Sequence, residues 1–168
     1  MMHKELRRWL LALLIGCALP VGAAAPGRAQ QPSNVLTLDG LSAIVSGMGY
    51  ETKPDPNGKN FTIPIHSNYN YIVNFALSSD GTFAWIFINL GSFDPDQLAT
   101  LQTIKLLQAS DAGPGNFTLG KGEQSDTLYA QRILPSLSIT PALLRSTFDN
   151  LVAISNTNDA LWNKTLWK

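Results

Sequence analysis

Residues 69–90 read YNYIVNFALSSDGTFAWIFINL, and this stretch decides the fold. Apolar side chains occupy every second position from Tyr69 to Leu77, and many of them are aromatic or β-branched. That alternation predicts a β-strand. Ser79-Asp80-Gly81 then predicts a turn, because Asp80 can accept bonds from the backbone that follows it and glycine adopts positive φ at no steric cost. The stretch is therefore a β-hairpin.

The register of this hairpin has two solutions. A three-residue loop, Ser79-Asp80-Gly81, pairs Phe75 with Trp85 and Val73 with Phe87. A two-residue loop pairs Phe75 with Ile86 instead. We favour the first, because Ser-Asp-Gly suits a type I turn with glycine in the bulge position.

The second strand of the hairpin is apolar on both faces, from Phe83 to Ile88. A strand with one wet face alternates, so this run predicts cover on both faces. The candidate covers are a helix over residues 95–109, the C-terminal tail, and a second protomer. The candidate interaction surface accordingly comprises Phe83, Trp85, Phe87, Leu101, Ile104, Trp162 and Trp167.

The first 29 residues have the pattern of a secretory signal peptide: MMHKELRR, an apolar run, then small residues. Cleavage after Ala29 would leave a linker at residues 30–35 and a single domain at residues 36–168, periplasmic or secreted, with no membrane span. A membrane anchor is the alternative, but Gly16 and Pro20 interrupt the run. A third interpretation is a lipoprotein anchored through Cys17, because Leu14-Ile15-Gly16-Cys17 is similar to a lipobox.

Charge and cysteine content limit the function of the remaining 139 or so residues. The whole chain has 12 basic and 12 acidic residues. Removing the leader takes away four basic residues and one acidic residue, which leaves 8 and 11, a net charge of −3. A nucleic-acid partner requires a basic surface, so none is expected. Cys17 is the sole cysteine, so the exported domain has no disulfide.

The rest of the chain alternates between helical and strand patterns. Helices are predicted at residues 37–47 and 95–109 and from Thr140-Pro141 onward, the last two opening with a cap residue before proline. Residues 60–66 predict a strand, placed at an edge by Pro64. Residues 116–120 and 126–134 predict a second hairpin, with Tyr129, Gln131 and Ile133 on one face. The expected fold is α+β, a two-layer sandwich of a five-stranded antiparallel sheet and three helices, in the order α-β-β-β-α-β-β-α.

This order, together with several short motifs, resembles the YbjN domain family, whose fold is similar to that of type III secretion chaperones. The resemblance covers residues 36–162 and rests on Met48-Gly49-Tyr50, Leu106-Leu107, Asn116-Phe117-Thr118-Leu119, and Ile133-Leu134-Pro135 followed by Thr140, Leu143 and Leu144. Ser110 stands where the family commonly has asparagine. The resemblance implies a chaperone-like binding domain and a dimer, not a pathway, because an export signal is foreign to a type III secretion system.

No stretch predicts catalysis, a metal or a cofactor. Residues 115–122, GNFTLGKG, nearly match a phosphate-binding loop, but Gly122 replaces the hydroxyl residue that holds magnesium. His66 is the only histidine after the leader, and it has no cysteine or histidine cluster around it. Asp94 and Asp96 are explained by helix capping.

We therefore expect an exported, non-enzymatic protein-binding domain, chaperone-like or regulatory, with homodimerisation as the favoured arrangement. A periplasmic carrier of a small apolar ligand is the alternative, and it would need a lined cavity between sheet and helices.

Overall fold

A six-stranded antiparallel sheet forms the scaffold of the protein in the computed structural model, which describes residues 35–112 and 115–167. The strands are β1 (Lys53–Pro54), β2 (Asn60–His66), β3 (Asn70–Leu77), β4 (Phe83–Phe93), β5 (Asn116–Gly120) and β6 (Asp126–Pro135). The α-helices are α1 (Leu38–Gly47), α2 (Pro95–Thr100), α3 (Thr103–Ala112), α4 (Pro141–Thr157) and α5 (Asp159–Trp162). Single 3₁₀ turns cover Ser136–Ser138 and Lys164–Leu166. The predicted signal peptide, Cys17 and most of the linker lie outside the described residues.

The strand order is β1-β2-β3-β4-β6-β5, with every neighbouring pair antiparallel. The α+β class is confirmed, but the predicted five strands and three helices are wrong: the described residues hold six strands and five α-helices. The extra strand is the two-residue β1. The predicted helix over residues 95–109 divides because Leu101 has an extended ψ of 121°, and Asn158 separates α5 from α4.

The register we favoured for the central hairpin is wrong. Phe75 pairs with Ile86 and Leu77 with Ala84, which is the register of the other solution. The cause lies in the turn: Asp80 Oδ1 accepts hydrogen bonds from the Thr82 backbone at 3.1 Å and the Thr82 hydroxyl at 2.8 Å, which draws Thr82 into the loop. Gly81 has a φ of +69°, as expected of a glycine in this turn. A slip of one residue moves a whole strand to the opposite face, so Trp85 lies on the face opposite Phe75.

The core lies between the inner face of the sheet and helices α1 and α4. Phe75 is at its centre, stacked on Phe61 with ring centroids 4.5 Å apart and edge-on to Phe148 of α4 at 5.5 Å. Aromatic pairs in these geometries stabilise beyond their buried area. Tyr50 also contacts Phe148 edge-on, with ring centroids 5.5 Å apart. The inner residues of β4, among them Ile86 and Ile88, are fully buried against this layer.

The helix starts are confirmed. Thr37 caps α1 by accepting from Gly40 N, Asp94 caps α2 by accepting from Gln97 N, and Thr140 caps α4 by accepting from Leu143 N. Each bond satisfies a backbone donor that the first helical turn leaves unpaired.

The second hairpin is confirmed as well: β5 pairs with β6 over the expected residues. The strand at residues 60–66 was predicted at an edge, and this is wrong as stated, because β2 lies between β1 and β3. The two-residue β1 pairs only with Phe61 and Thr62, so Pro64 lies beyond that pairing. Ser110 has a structural role beside this hairpin. Its hydroxyl donates to Leu106 O within α3 and accepts from Phe117 N of β5 at 2.8 Å, which ties the helix to the edge strand.

Candidate functional site

The outer face of the sheet is the side opposite the core. On β3, β4 and β6, every second side chain points away from the core, and these side chains form the outer face. None of those positions carries Asp, Glu, Lys, Arg or His. The large side chains there define what we call the outer strip: Ile72, Phe83, Trp85, Phe87, Tyr129 and Ile133.

The outer strip is exposed to solvent. Ile72, Trp85 and Ile133 keep 50%, 48% and 50% of their surface accessible, whereas the apolar inner-face residues next to them on the same strands are buried. Trp85 and Ile133 are cross-strand partners, so these two exposed groups are adjacent. Exposed apolar side chains that lie next to each other are typical of interaction sites, so this face is the candidate site.

A shallow depression lies within the outer strip. Trp85, Phe87, Tyr129 and Gln131 line it, and its volume is about 250 Å³. The Phe87 and Tyr129 rings meet edge-to-face with centroids 5.5 Å apart, which fixes the floor of the depression. The surface therefore offers aromatic area with an amide and a hydroxyl, and no formal charge.

The seven residues predicted for the interaction surface do not form one surface. Phe83, Trp85 and Phe87 lie on the outer strip, whereas Leu101 and Trp162 are core residues with 5% and 8% exposure. Ile104 is exposed on α3, and Trp167 is half-buried near the C-terminus.

The C-terminal residues pack on other parts of the domain. The Trp162 indole donates to Ser155 O at 2.9 Å, and its ring contacts Tyr69. Trp167 stacks on Phe93 with centroids 5.8 Å apart. Lys164 Nζ donates to Ser92 O and lies 5.1 Å from the centre of the Phe93 ring. The tail therefore does not cover the outer strip.

The middle helices do not cover it either. Leu101 and Leu106 belong to the same buried cluster as Phe117 of β5 and Leu128 of β6, which is the core of the domain. Among the described residues, the helices and the tail bury the inner face of β4 alone, so two of the three predicted covers are wrong. The third, a second protomer, stays a prediction.

A second depression, which we call the hairpin groove, lies at the end of the sheet. Its lining residues are Val35, Asp80, Gly81, Thr82, Phe83, Pro135, Ser136 and Leu137, and its volume is about 300 Å³. Phe83 belongs to both the groove and the outer strip. Sequence reasoning missed this site because its walls come from three distant segments. The one available signal was Leu137, an apolar residue set among Pro135, Ser136 and Ser138.

The Asp80 carboxylate is at the rim of the hairpin groove. Hydrogen bonds from the Ser78 hydroxyl, at 2.6 Å, and from the Thr82 backbone and hydroxyl hold the pKa of Asp80 at about 2. Donors to a carboxylate favour its charged form. Asp80 is therefore an anion throughout the physiological pH range.

The residues that the sequence analysis weighed as catalytic, metal-binding or phosphate-binding candidates lie in ordinary structural positions. His66 is exposed at the end of β2, with Nδ1 2.8 Å from Asn70 Oδ1. Residues 115–122 form β5 and the start of the turn after it, not a strand–loop–helix phosphate site. Within the described ranges, no three His, Cys, Asp or Glu side chains come together as metal ligands. None of the helices described here is long and apolar enough to cross a membrane.

Comparison with known proteins shows what this fold is similar to. No family model and no curated protein sequence matches the chain. Among solved structures, YbjN from E. coli, a proposed transcription regulator, superposes with a TM-score of 0.56 at 12% identity, covering 75% of this chain and 93% of that one. The fold is therefore YbjN-like.

Two secretion chaperones are also similar. The Yersinia pestis type III secretion chaperone SycH, in complex with a fragment of YscM2, gives a TM-score of 0.46 at 17% identity, over 70% of this chain and 94% of that one. The HopA1–SchA chaperone–effector complex gives 0.43 at 11%, over 74% and 89%. Both scores are below 0.5, so the fold assignment rests on YbjN.

Proposed function

We propose that this protein is an exported, non-enzymatic protein-binding domain that uses the outer strip as its binding surface. The observation that carries the proposal is the charge-free exposure of the adjacent residues Trp85 and Ile133 with their neighbours. Protein interfaces are enriched in aromatic residues at their centres and depleted of charge there. The YbjN-like fold supplies a sheet that presents such a face.

The energetics support occupation of this surface. Fully burying a large apolar side chain stabilises by about 1.5–3 kcal/mol relative to leaving it exposed. Three half-exposed side chains, Ile72, Trp85 and Ile133, would together gain a few kcal/mol from a partner. That is a substantial part of the total stability of a domain, about 5–15 kcal/mol.

A second copy of the chain is the partner we favour. An uncharged face can meet its own copy without placing like charges opposite each other, and twofold symmetry brings the same patch to both sides. Such a dimer would bury Trp85 and Phe87, which the described helices and tail leave uncovered. The alternative of a small apolar ligand carrier finds less support, because both depressions described above open at the surface.

The test is sedimentation equilibrium of the full chain at micromolar concentration, with the double variant Trp85→Lys/Ile133→Lys. Both side chains are exposed in the monomer, so the charges are compatible with folding and circular dichroism should be unchanged. Ile104→Lys is the matched control, since Ile104 is 74% exposed on α3. We expect the wild type and the control to sediment near twice the monomer mass, and the double variant to sediment as a monomer.

If the wild type is monomeric, the dimer is wrong and a different protein partner is required. Co-purification from the producing cell then tests whether the outer strip binds a different protein. A partner retained by the wild type and Ile104→Lys but lost by the double variant supports the proposal. A partner retained by all three contradicts the assignment of the surface.

A further inference from the structure

The hairpin groove combines an apolar floor with one anionic rim. Val35, Phe83 and Leu137 are 52%, 46% and 86% exposed, although each is a large apolar residue. They meet because Val35 packs directly against Gly81, where any side chain would collide with it. The 3₁₀ turn is attached from the other side through Ser136 N, which donates to Thr82 O at 2.8 Å. The Val35 side chain and the Ser136 backbone thus both contact the hairpin turn.

The volume of about 300 Å³ is at the lower end of the range of small-molecule pockets, which suits one large side chain rather than a whole ligand. The pocket is open on one side, where Leu137 stands almost free. A side chain presented by another polypeptide can therefore enter without any movement of the groove. Buried anchors of this kind carry most of the affinity at protein interfaces.

The rim supplies charge complementarity. The three hydrogen bonds that Asp80 accepts from Ser78 and Thr82 all go to Oδ1. These donors leave Oδ2 unused, and among the described residues Asp80 takes part in no ion pair. A carboxylate whose orientation is already fixed can accept a cation on Oδ2 without a large loss of side-chain entropy, which is the main cost of an exposed ion pair.

We propose that the hairpin groove binds a partner protein segment in which a large apolar side chain adjoins an arginine or lysine, with the apolar side chain in the groove and the cation on Asp80 Oδ2. This inference rests on the proposed protein-binding function, and it specifies the sequence chemistry that the partner needs. Because Phe83 belongs to the groove and to the outer strip, a segment anchored here would continue onto that strip.

The experiment uses four capped hexapeptides as probes: Gly-Ser-Arg-Trp-Ser-Gly, its Arg→Gln form, its Trp→Ala form and the form with both changes. Each is titrated into the isotope-labelled full chain while amide chemical shifts are followed. We expect the Arg-Trp peptide to shift Val35, Gly81, Phe83 and Leu137. It should bind about three- to fivefold more tightly than the Gln-Trp form, as an exposed ion pair allows, and tenfold or more tightly than the Arg-Ala form.

Two variants test the two halves of the site. Asp80→Asn keeps an acceptor in the turn and removes the charge. This variant should therefore bind the Arg-Trp peptide no more tightly than it binds the Gln-Trp peptide. Leu137→Ser should weaken both Trp peptides without affecting folding, since Leu137 is 86% exposed. Ile104→Ser is the control and should bind all peptides as the wild type does. Equal affinity for Arg-Trp and Gln-Trp, or shifts away from the groove, would overturn the proposal.

The experiments separate failure of the groove proposal from failure of the proposed function of the outer strip. If the groove binds none of the peptides while Trp85→Lys/Ile133→Lys still abolishes partner binding, the groove proposal is wrong and the outer strip stands. If the peptides bind as expected while that double variant keeps its partner, the groove proposal is supported and the outer strip is wrong.

Discussion

The hydroxyl of Tyr69 donates a 2.7 Å hydrogen bond to Oδ2 of Asp159, ninety residues further along the chain. Asn163 Nδ2 donates to the same hydroxyl at 3.2 Å. This pair joins the start of the central hairpin to the last helix, and with the Trp162 indole bond it holds the C-terminal residues against the domain.

The first prediction follows from the pKa of Tyr69, which the hydrogen bond to Asp159 raises above its ordinary value of about 10. The folded state thus favours the protonated phenol. Its stabilising contribution is complete below pH 10 and is lost as pH rises through the folded-state pKa. We expect the free energy of unfolding, measured with urea from pH 8 to 11, to fall more steeply above pH 10 in the wild type than in Tyr69→Phe. Identical slopes would show that the bond does not contribute.

The second prediction concerns the stability of the domain at acidic pH. Because the turn hydrogen bonds lower the pKa of Asp80, its contribution to stability is complete above the ordinary pKa of about 4 and is lost as pH falls toward 2. The wild type should be more stable than Asp80→Asn at pH 5, and the difference should shrink as pH is lowered to 2. Urea unfolding at intervals between these values measures it. A difference that is constant with pH would contradict the account.

The third prediction tests the aromatic core. Phe148 is fully buried and contacts both Phe75 and Tyr50 edge-on. Phe148→Ala should destabilise the domain by about 3–5 kcal/mol through lost burial and the cavity left behind. Leu137→Ala, at an exposed site, should stay within about 0.5 kcal/mol of the wild type. Thermal and chemical unfolding of the two variants make the comparison. Similar losses in both would place the core elsewhere.

The fourth prediction concerns processing, which lies outside the described residues. Cleavage after Ala29 leaves Gln30 at the N-terminus and no thiol in the exported protein. Intact-mass analysis of exported material should find that species. A lipidated protein beginning at Cys17 would instead place the domain on a membrane surface.

Local patterns predicted the elements well, because each pattern is decided by neighbours in sequence. The alternation in β3 and the caps at Asp94 and Thr140 are of this kind. The hairpin register was not predictable in the same way. Ser-Asp-Gly satisfies either solution, and the choice is made by Thr82, whose backbone and hydroxyl both bond to Asp80.

The candidate site was predicted only in part for a related reason. Alternation along β6 correctly predicted one face with Tyr129, Gln131 and Ile133. The same rule places Phe83, Trp85 and Phe87 on one face of β4. Whether a helix or the tail covers those faces depends on tertiary contacts. Trp162 and Trp167 were predicted as part of the interaction surface, but their actual partners, Ser155 O and the ring of Phe93, are not visible in a sequence.

We propose above all that the outer strip binds a protein. Photo-crosslinking tests it most directly: benzoylphenylalanine is placed at position 87, or at position 104 as control, in the full chain inside the producing cell. Irradiation and mass spectrometry then identify the adducts. We predict that position 87 crosslinks to a protein, a second copy of this chain in the favoured case, and that position 104 does not. Absence of a protein adduct at position 87, or equal adducts at both positions, would contradict the account.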